Sequence, residues 1–409
     1  MGNIHNFSVI RQCFSYLSDE NFHLPISDYR IQKLTFLKCA KLIMASQLAK
    51  WESYDQISRA LRTSNILQES LELSSISAAQ LSRRLRTLPT ETFEALFLEI
   101  IGKLKSLVPI ACSKLGPIRI IDSTCLRLPA TLSKWAYVNS QRTQVKIHMR
   151  VLALPKGEII PEKAIPTTGN VSDYETMDIL VEDDGTIYVM DRGYVKYKQF
   201  DVWLEKGIRF VTRINDKHGV LHLEEERSVP PNTNIIRDAI VQLGSAFRQT
   251  DRTLRLVEFL DEQGRKYRIA TSCFDLCPTE IAEIYRQRWL IELYFKWMKQ
   301  HLRLVKLYSY EPQGIWNQIF LALITYAIAM HIQLTNKTRL SLWDVLQSLR
   351  TCWEKEYLVF DAELHRKPTR TSNGRQKVPR VEKQQPILQT LVGIIKPLKE
   401  KSTKKKKKA

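Results

Sequence analysis

The apolar pattern of this chain changes its period near Pro117, and that change constrains the fold more than any other feature. From Phe7 to about Leu107 glycines are few, and apolar residues recur at three- and four-residue spacing, as in Ile31, Leu34 and Leu37 and then Met44 and Leu48. Such spacing lines one face of a helix, so this stretch reads as a separate all-helical region. After Pro117 come short β-rich runs separated by Gly, Pro, Asn and Asp: PIRIID, VKIHMRVLAL from Val145, EIIPEKAIP from Glu158, TIYVMD from Thr186 and IRFVTRI from Ile208. Helical composition from Tyr174 to Leu180 and from Tyr197 to Lys206 connects them, which predicts an α/β domain on a mixed sheet.

Further strand-like pieces follow Asn215. In RTLRLVEFLDEQGRKYRIATS the tetrad DEQG marks a hairpin turn, and about 216–277 reads as a β-rich insertion. A helix capped by Thr279, with Glu280 in its first turn, is expected next, and helices continue to about Leu364. The three divisions are 1–107, 108–364 and 365–409. The last begins with the polar, basic, Pro-bearing stretch His365 to Pro386 and ends in KSTKKKKKA, a polylysine tail suited to nonspecific attraction to phosphate.

The net charge of +19 in 409 residues favours partners of dense negative charge, either nucleic acid or an anionic membrane surface. Membrane insertion is not expected. Met1 to Asn6 lacks the basic and apolar regions of a leader, and the apolar run Ile319 to Met330 is short for a span and reads as a buried helix. Seven scattered cysteines suit a reducing cytoplasm, and Cys273 and Cys277 have no second pair to complete a zinc site. In the helical region, SYDQISRAL from Ser53 and SISAAQLSRRLRTL from Ser75 resemble parts of a helix-turn-helix, with Ser77 as a cap. Leu81, Leu85 and Leu88 share one face and Arg83 and Arg86 lie opposite. Those arginines suit either DNA contact in a major groove or a solvated basic face.

Between Tyr285 and Gln300 stands YRQRWLIELYFKWMKQ. On a continuous helix Tyr285, Arg288, Glu292, Lys296 and Lys299 fall within an arc of about 80°. Ile284, Ile291, Phe295 and Met298 flank this stripe on one side and Trp289, Leu293 and Trp297 on the other, so the helix is expected to be mostly buried. One glutamate cannot neutralise Arg288, Lys296 and Lys299 together, and pairs at four-residue spacing, Arg288 with Glu292 and Glu292 with Lys296, leave Lys299 over. The stripe implies an outside anion.

Tyr285, Arg288, Glu292 and Lys299 reproduce without a gap the spacing of the YREK signature, and the chain resembles the insertion sequence 4 family of transposases from about Leu115 to Leu349. The resemblance implies a DDE enzyme with an RNase H-like catalytic core carrying a β-rich insertion, preceded by an all-helical DNA-binding region. It also implies two aspartates on earlier strands. Asp122 ends the apolar strand of PIRIIDST, and Asp191 ends that of TIYVMDRGY.

Three clustered carboxylates repel one another unless a divalent cation relieves them. Magnesium suits hard oxygen ligands, and two ions about 3.5–4 Å apart serve an in-line displacement, with manganese as an alternative. Asp122, Asp191 and Glu292 are therefore expected as metal ligands and catalytic residues. Tyr285, Arg288 and Lys299 are expected at DNA phosphates, Lys296 more weakly so. Lys146, His148 and Arg213 lie on predicted strands near the same sheet, where each suits either a DNA contact or a paired polar role. Water, and then a 3′-hydroxyl, would be the nucleophile, and the resemblance implies a hairpin intermediate. Relatives stack a flipped base on a tryptophan of the insertion; 216–277 has none, and Phe247, Phe259, Tyr267 and Phe274 are the aromatics that offer a substitute.

The expected function is thus DNA transposition, with binding of terminal inverted repeats, cleavage and strand transfer. The protein would act on double-stranded DNA as a homodimer in the synaptic complex, within the bacterial cytoplasm and away from membranes. An RNase H-like nuclease without joining activity and a noncatalytic DNA-binding derivative are the alternatives. They separate by product: joined strands, cut strands, or shifted but intact DNA.

Overall fold

The apolar runs in the middle of the chain lack polar alternation because both faces of the sheet they build are covered. The computed structural model describes residues 7–17, 28–108, 116–302, 304 and 306–367. The chain divides into two compact units, Met1–His365 and Arg366–Ala409, and every element below belongs to the first. The basic segment beyond Lys367, with its polylysine end, lies outside the described residues.

Three strands run parallel at the centre: β1 (Ile118–Arg127), β5 (Ile187–Met190) and β6 (Arg209–Arg213). On one side β1 pairs antiparallel with β3 (Arg142–Ala153), whose far edge carries β4 (Ile159–Thr168) and the short β2 (Tyr137–Asn139). On the other side β6 pairs antiparallel with β11 (Lys266–Thr271). Beyond it lie β10 (Leu254–Leu260), β8 (Ile235–Ser245) and β7 (Val220–Glu226), with β9 (Arg248–Gln249) also on β8. The five strands from 216–277 therefore extend the central mixed sheet, because β11 takes the free backbone edge of β6. The DEQG turn joins β10 to β11, and Gly264 adopts the φ of 75° that this turn requires.

Side chains alternate between the two faces. Ile120, Val189 and Val211 enter one core, and Ile121, Met190 and Phe210 enter the other. Two helices serve the second core, α7 (Met177–Leu180) and α8 (Tyr197–Glu205), and Phe200 of α8 stacks on Phe210 at 4.9 Å. The first core takes helices from both ends of the unit. From the amino-terminal side these are α1 (Val9–Ser15), α2 (Phe36–Ala49), α3 (Tyr54–Thr63), α4 (Asn65–Leu71), α5 (Ala78–Thr87) and α6 (Thr90–Leu107). From the carboxyl-terminal side they are α9 (Pro278–Arg286), α10 (Trp289–His301), α11 (Pro312–Thr335), α12 (Leu342–Cys352) and α13 (Tyr357–Leu364).

Helix α11 is longer than its apolar run, at 24 residues, and it is long and apolar enough to cross a membrane by composition. Here it is the central helix of the first core, with 89% of its most apolar window buried. Its polar end explains the extra length. Asn317, fully buried, donates to the carbonyls of Leu85 (2.7 Å) and Leu88 (2.8 Å) and accepts from Thr90 Oγ1 (2.9 Å). Those carbonyls close α5, which begins with the expected Ser77 cap reinforced by Gln80. The helix buries Leu81 and Leu85, with Leu88 just beyond it, and exposes Arg83 and Arg86. Helix α9 starts two residues earlier than expected. Cys277 and not Thr279 is its cap, because Pro278 suits the first helical position, and Glu280 accepts from the Cys277 amide at 2.7 Å.

Candidate active site

The stretch Tyr285 to Gln300 forms two helices where the sequence suggested one. Gln287 and Arg288 keep right-handed dihedrals, but the amides of Gln287, Arg288, Leu290 and Ile291 donate to carbonyls three residues back. This tighter turn changes the phase of α10 relative to α9. The expected buried flank is opened as a result: Trp289 is 57% exposed and Leu293 46%. Tyr285 is buried, Arg288, Glu292 and Lys299 are half-buried, and Lys296 is exposed.

Asp122 is the fifth residue of the ten-residue β1 and does not end its strand as expected. The neighbouring strand stops instead. Parallel pairing of β1 with β5 finishes at Ile121 and Met190, so Asp122 stands just past the end of β5 on the face covered by α10, while β1 continues along β3. Asp191 follows Met190 directly and caps a one-turn 3₁₀ helix, its Oδ1 accepting from the Gly193 amide at 2.7 Å.

Arg288 joins the pieces. Its Nη1 lies 3.1 Å from Asp122 Oδ2, and its Nη2 donates to Glu292 Oε1. Burial opposes the charge of Arg288, yet Tyr285, Glu292 and Asp122 hold its pKa above the ordinary arginine value. Burial pushes the Asp122 carboxyl up to about 7, with the negative charge of Asp191 adding to the shift. Asp191 is raised as well, again chiefly by burial. Lys299 approaches from the last turn of α10, its pKa lowered by burial.

The strand candidates divide. Arg213 stands 4.3 Å over the ring of Tyr267, which stacks on Phe259 at 5.2 Å and lies 6.0 Å from Tyr285. These rings, with Arg288 and Trp289, line a cavity of about 250 Å³. Phe247 is fully exposed and Phe274 is 39% exposed, and neither lines it. Lys146 and His148 turn instead toward Asp173, a carboxylate that sequence reasoning missed. Lys146 Nζ donates to the Val171 carbonyl at 2.9 Å and lies 3.4 Å from Asp173 Oδ1; the fully buried His148 places Nδ1 at 3.4 Å from the same atom. Burial works against ionisation of Asp173, but the neighbouring His148, Ser123 and Lys146 bring its pKa down to about 2. Asp173 sits in a turn between β4 and β5, and its sequence gives no sign of the strand it will meet.

Among the described residues no three His, Cys, Asp or Glu side chains converge into a ready metal cage. The donor chemistry nevertheless suits a hard divalent cation. Asp122, within β1, and Asp191, just past the end of the adjacent β5, are oxygen donors that repel each other, and the guanidinium of Arg288 supplies the positive charge between Asp122 and Glu292.

Comparison with known proteins places the same region in context. The family model described as "Transposase DDE domain" matches residues 113–328, which span β1 to α11 and contain Asp122, Asp191 and the Tyr285 to Lys299 signature. The chain is 27% identical over 267 residues to the probable transposase for insertion sequence element IS5377 of Geobacillus stearothermophilus, covering 64% of this chain and 69% of that protein. It is 25% identical over 318 residues to a candidate transposase for insertion sequence element IS4SA of Synechocystis sp., covering 73% and 84%.

Proposed function

The chain belongs to the transposase DDE domain family, and we propose that Asp122, Asp191 and Glu292 are the acids with which it cuts and joins DNA. It is an insertion sequence transposase of the insertion sequence 4 type, an enzyme of DNA cleavage and strand transfer, and its family generally uses divalent metal ions. One observation carries the assignment of the acids. Arg288 draws together carboxylates from β1 and α10, while Asp191 from the end of β5 acts on Asp122 through its charge.

Asp122, Asp191 and Glu292 would hold magnesium, two ions by preference, or manganese. When bound, such ions activate the attacking oxygen and stabilise the leaving one. The residues around them do the positioning. Asp122 and Asp191 are half-buried, which strengthens the charge interactions there. Tyr285 and Arg288 line one cavity, with Arg213 over the Tyr267 ring beside it, and together with Lys299 of α10 they would contact DNA phosphates. Arg288 serves both sets: it compensates Asp122 and Glu292, and it would also meet a phosphate of the reacting strand.

The larger organisation follows the same reading. The central parallel strands, with Asp122 in β1 beside the end of β5 and Asp191 just past it, suit an RNase H-like core, and 216–277 suits its insertion. Region 1–107 would bind the terminal inverted repeats, with α5 presenting Arg83 and Arg86. A homodimer would hold two ends in the synaptic complex, and the protein would work in the bacterial cytoplasm with DNA and no membrane as its partner.

The test uses the full chain and labelled duplexes carrying the element's own ends. With magnesium the wild type is expected to cut and join, and Glu292→Gln to bind those ends without cutting. Cutting without joining would assign the protein to nucleases, and binding with neither activity under magnesium or manganese would overturn the catalytic reading.

A further inference from the structure

Asp173 opens a 3₁₀ turn, Asp173–Thr176, that begins with a cap from Ser172 and a returning Glu175 side chain. The Asp173 carboxylate takes no part in that cap. Its Oδ1 accepts from Lys146 Nζ at 3.4 Å and lies 3.4 Å from Nδ1 of the buried His148; the two stand two residues apart on β3 and so on one face of the sheet. His148 is fixed in turn, its Nε2 3.0 Å from Thr167 Oγ1 on β4. Opposite His148 in the register stands Ser123, the residue after Asp122. The cluster therefore lies on the face of β1 opposite the one that presents Asp122 to Arg288.

The other oxygen faces the Asp191 turn. A methyl group in place of the Gly193 hydrogen would lie 3.2 Å from Asp173 Oδ2 and 3.0 Å from Asp191 Oδ1. Gly193 also donates its amide to that Asp191 oxygen at 2.7 Å. One carboxylate thus lies between the strand pair that carries Asp122 and the turn that aims Asp191.

We propose that Asp173 is a positioning residue of the transposase: anchored by Lys146 beside the buried His148, it braces the Gly193 turn and sets where Asp191 stands relative to Asp122. The proposal rests on the reading of Asp122 and Asp191 as catalytic acids. A buried histidine and a lysine that orient a carboxylate behind the reacting groups are the kind of support that keeps a constellation within a fraction of an ångström.

The experiment compares the full-length wild type, Asp173→Asn, Gly193→Ala and Asp122→Asn. It measures end-duplex affinity, the single-turnover cleavage rate across a manganese titration, thermal melting, and manganese binding to the DNA-free protein by water proton relaxation. Asp173→Asn is expected to bind DNA as wild type does, to cleave about 10–100-fold more slowly, and to need more manganese for half-maximal rate and for half-maximal relaxation. Gly193→Ala is expected to shift both manganese curves the same way, and it carries the test if Asp173→Asn does not fold. Wild-type rate and manganese dependence in Asp173→Asn would overturn the proposal. So would parallel loss of melting temperature, DNA binding and cleavage with unmoved manganese curves, the mark of a merely structural role. Undiminished cleavage by Asp122→Asn would instead sink the underlying site reading.

Discussion

The guanidinium of Arg288 sits 3.1 Å from the carboxylate of Asp122, although 166 residues separate them in the chain. The same guanidinium holds Glu292 one turn further along α10, so a single cation compensates two acids that otherwise repel.

Removing that cation is therefore costly in the absence of metal. Arg288→Gln is expected to destabilise the protein by about 2 kcal/mol, below the cost of breaking a fully buried pair because the partners retain some solvent contact. Millimolar magnesium should raise the melting temperature of Arg288→Gln more than that of wild type. Equal rises in the two proteins would show that Arg288 and the metal do not answer the same charge.

The raised pKa of Asp122 sets a pH dependence whose sign is fixed by linkage. Above its ordinary value near 3.8 the unfolded chain releases this proton, while the folded chain keeps it up to about 7. The folded state then binds more protons, so this group's contribution to stability falls as pH rises from about 4 to about 7 and is level above. Asp122→Asn should remove that fall and melt higher than wild type at pH 8 without metal, with little difference near pH 4. Magnesium should stabilise the wild type at pH 8 and much less at pH 5.5. A wild-type melting curve that tracks Asp122→Asn across this window would contradict the assignment.

Asn317 ties α11 to the end of α5 through two donated hydrogen bonds and one accepted. Asn317→Leu keeps the volume but removes the side-chain donor of the Leu85 carbonyl, while the Leu88 carbonyl keeps Gln313 Nε2 at 2.9 Å. A loss on the order of 2 kcal/mol is expected in urea unfolding, since an unsatisfied buried group costs ~1–3 kcal/mol. A loss under 0.5 kcal/mol would show that the Leu85 carbonyl finds another partner.

The central strands and their acids were legible because burial on both faces leaves long apolar runs, and a charged residue at the close of such a run stands out. Asp122 still misled in one respect. It marks the end of β5 beside it, a fact of pairing register that no single run contains. Lys146 and His148 looked like cations near the sheet, and only the meeting of β3 with the 173–176 turn turns them toward Asp173. The break between α9 and α10 was invisible because Gln287 and Arg288 never leave right-handed dihedrals. There the hydrogen-bond step shortens while the local conformational preference stays helical.

That joint has a consequence for how the gene can vary. Tyr285 belongs to α9, while Glu292 and Lys299 belong to α10, and Arg288 stands at the seam. One codon inserted at the seam would turn all of α10 by about 100° and carry Glu292 away from Asp122 together with every other α10 side chain. Loops elsewhere in the chain can lengthen by several residues at little cost, but the reading frame between Tyr285 and Lys299 has no such slack.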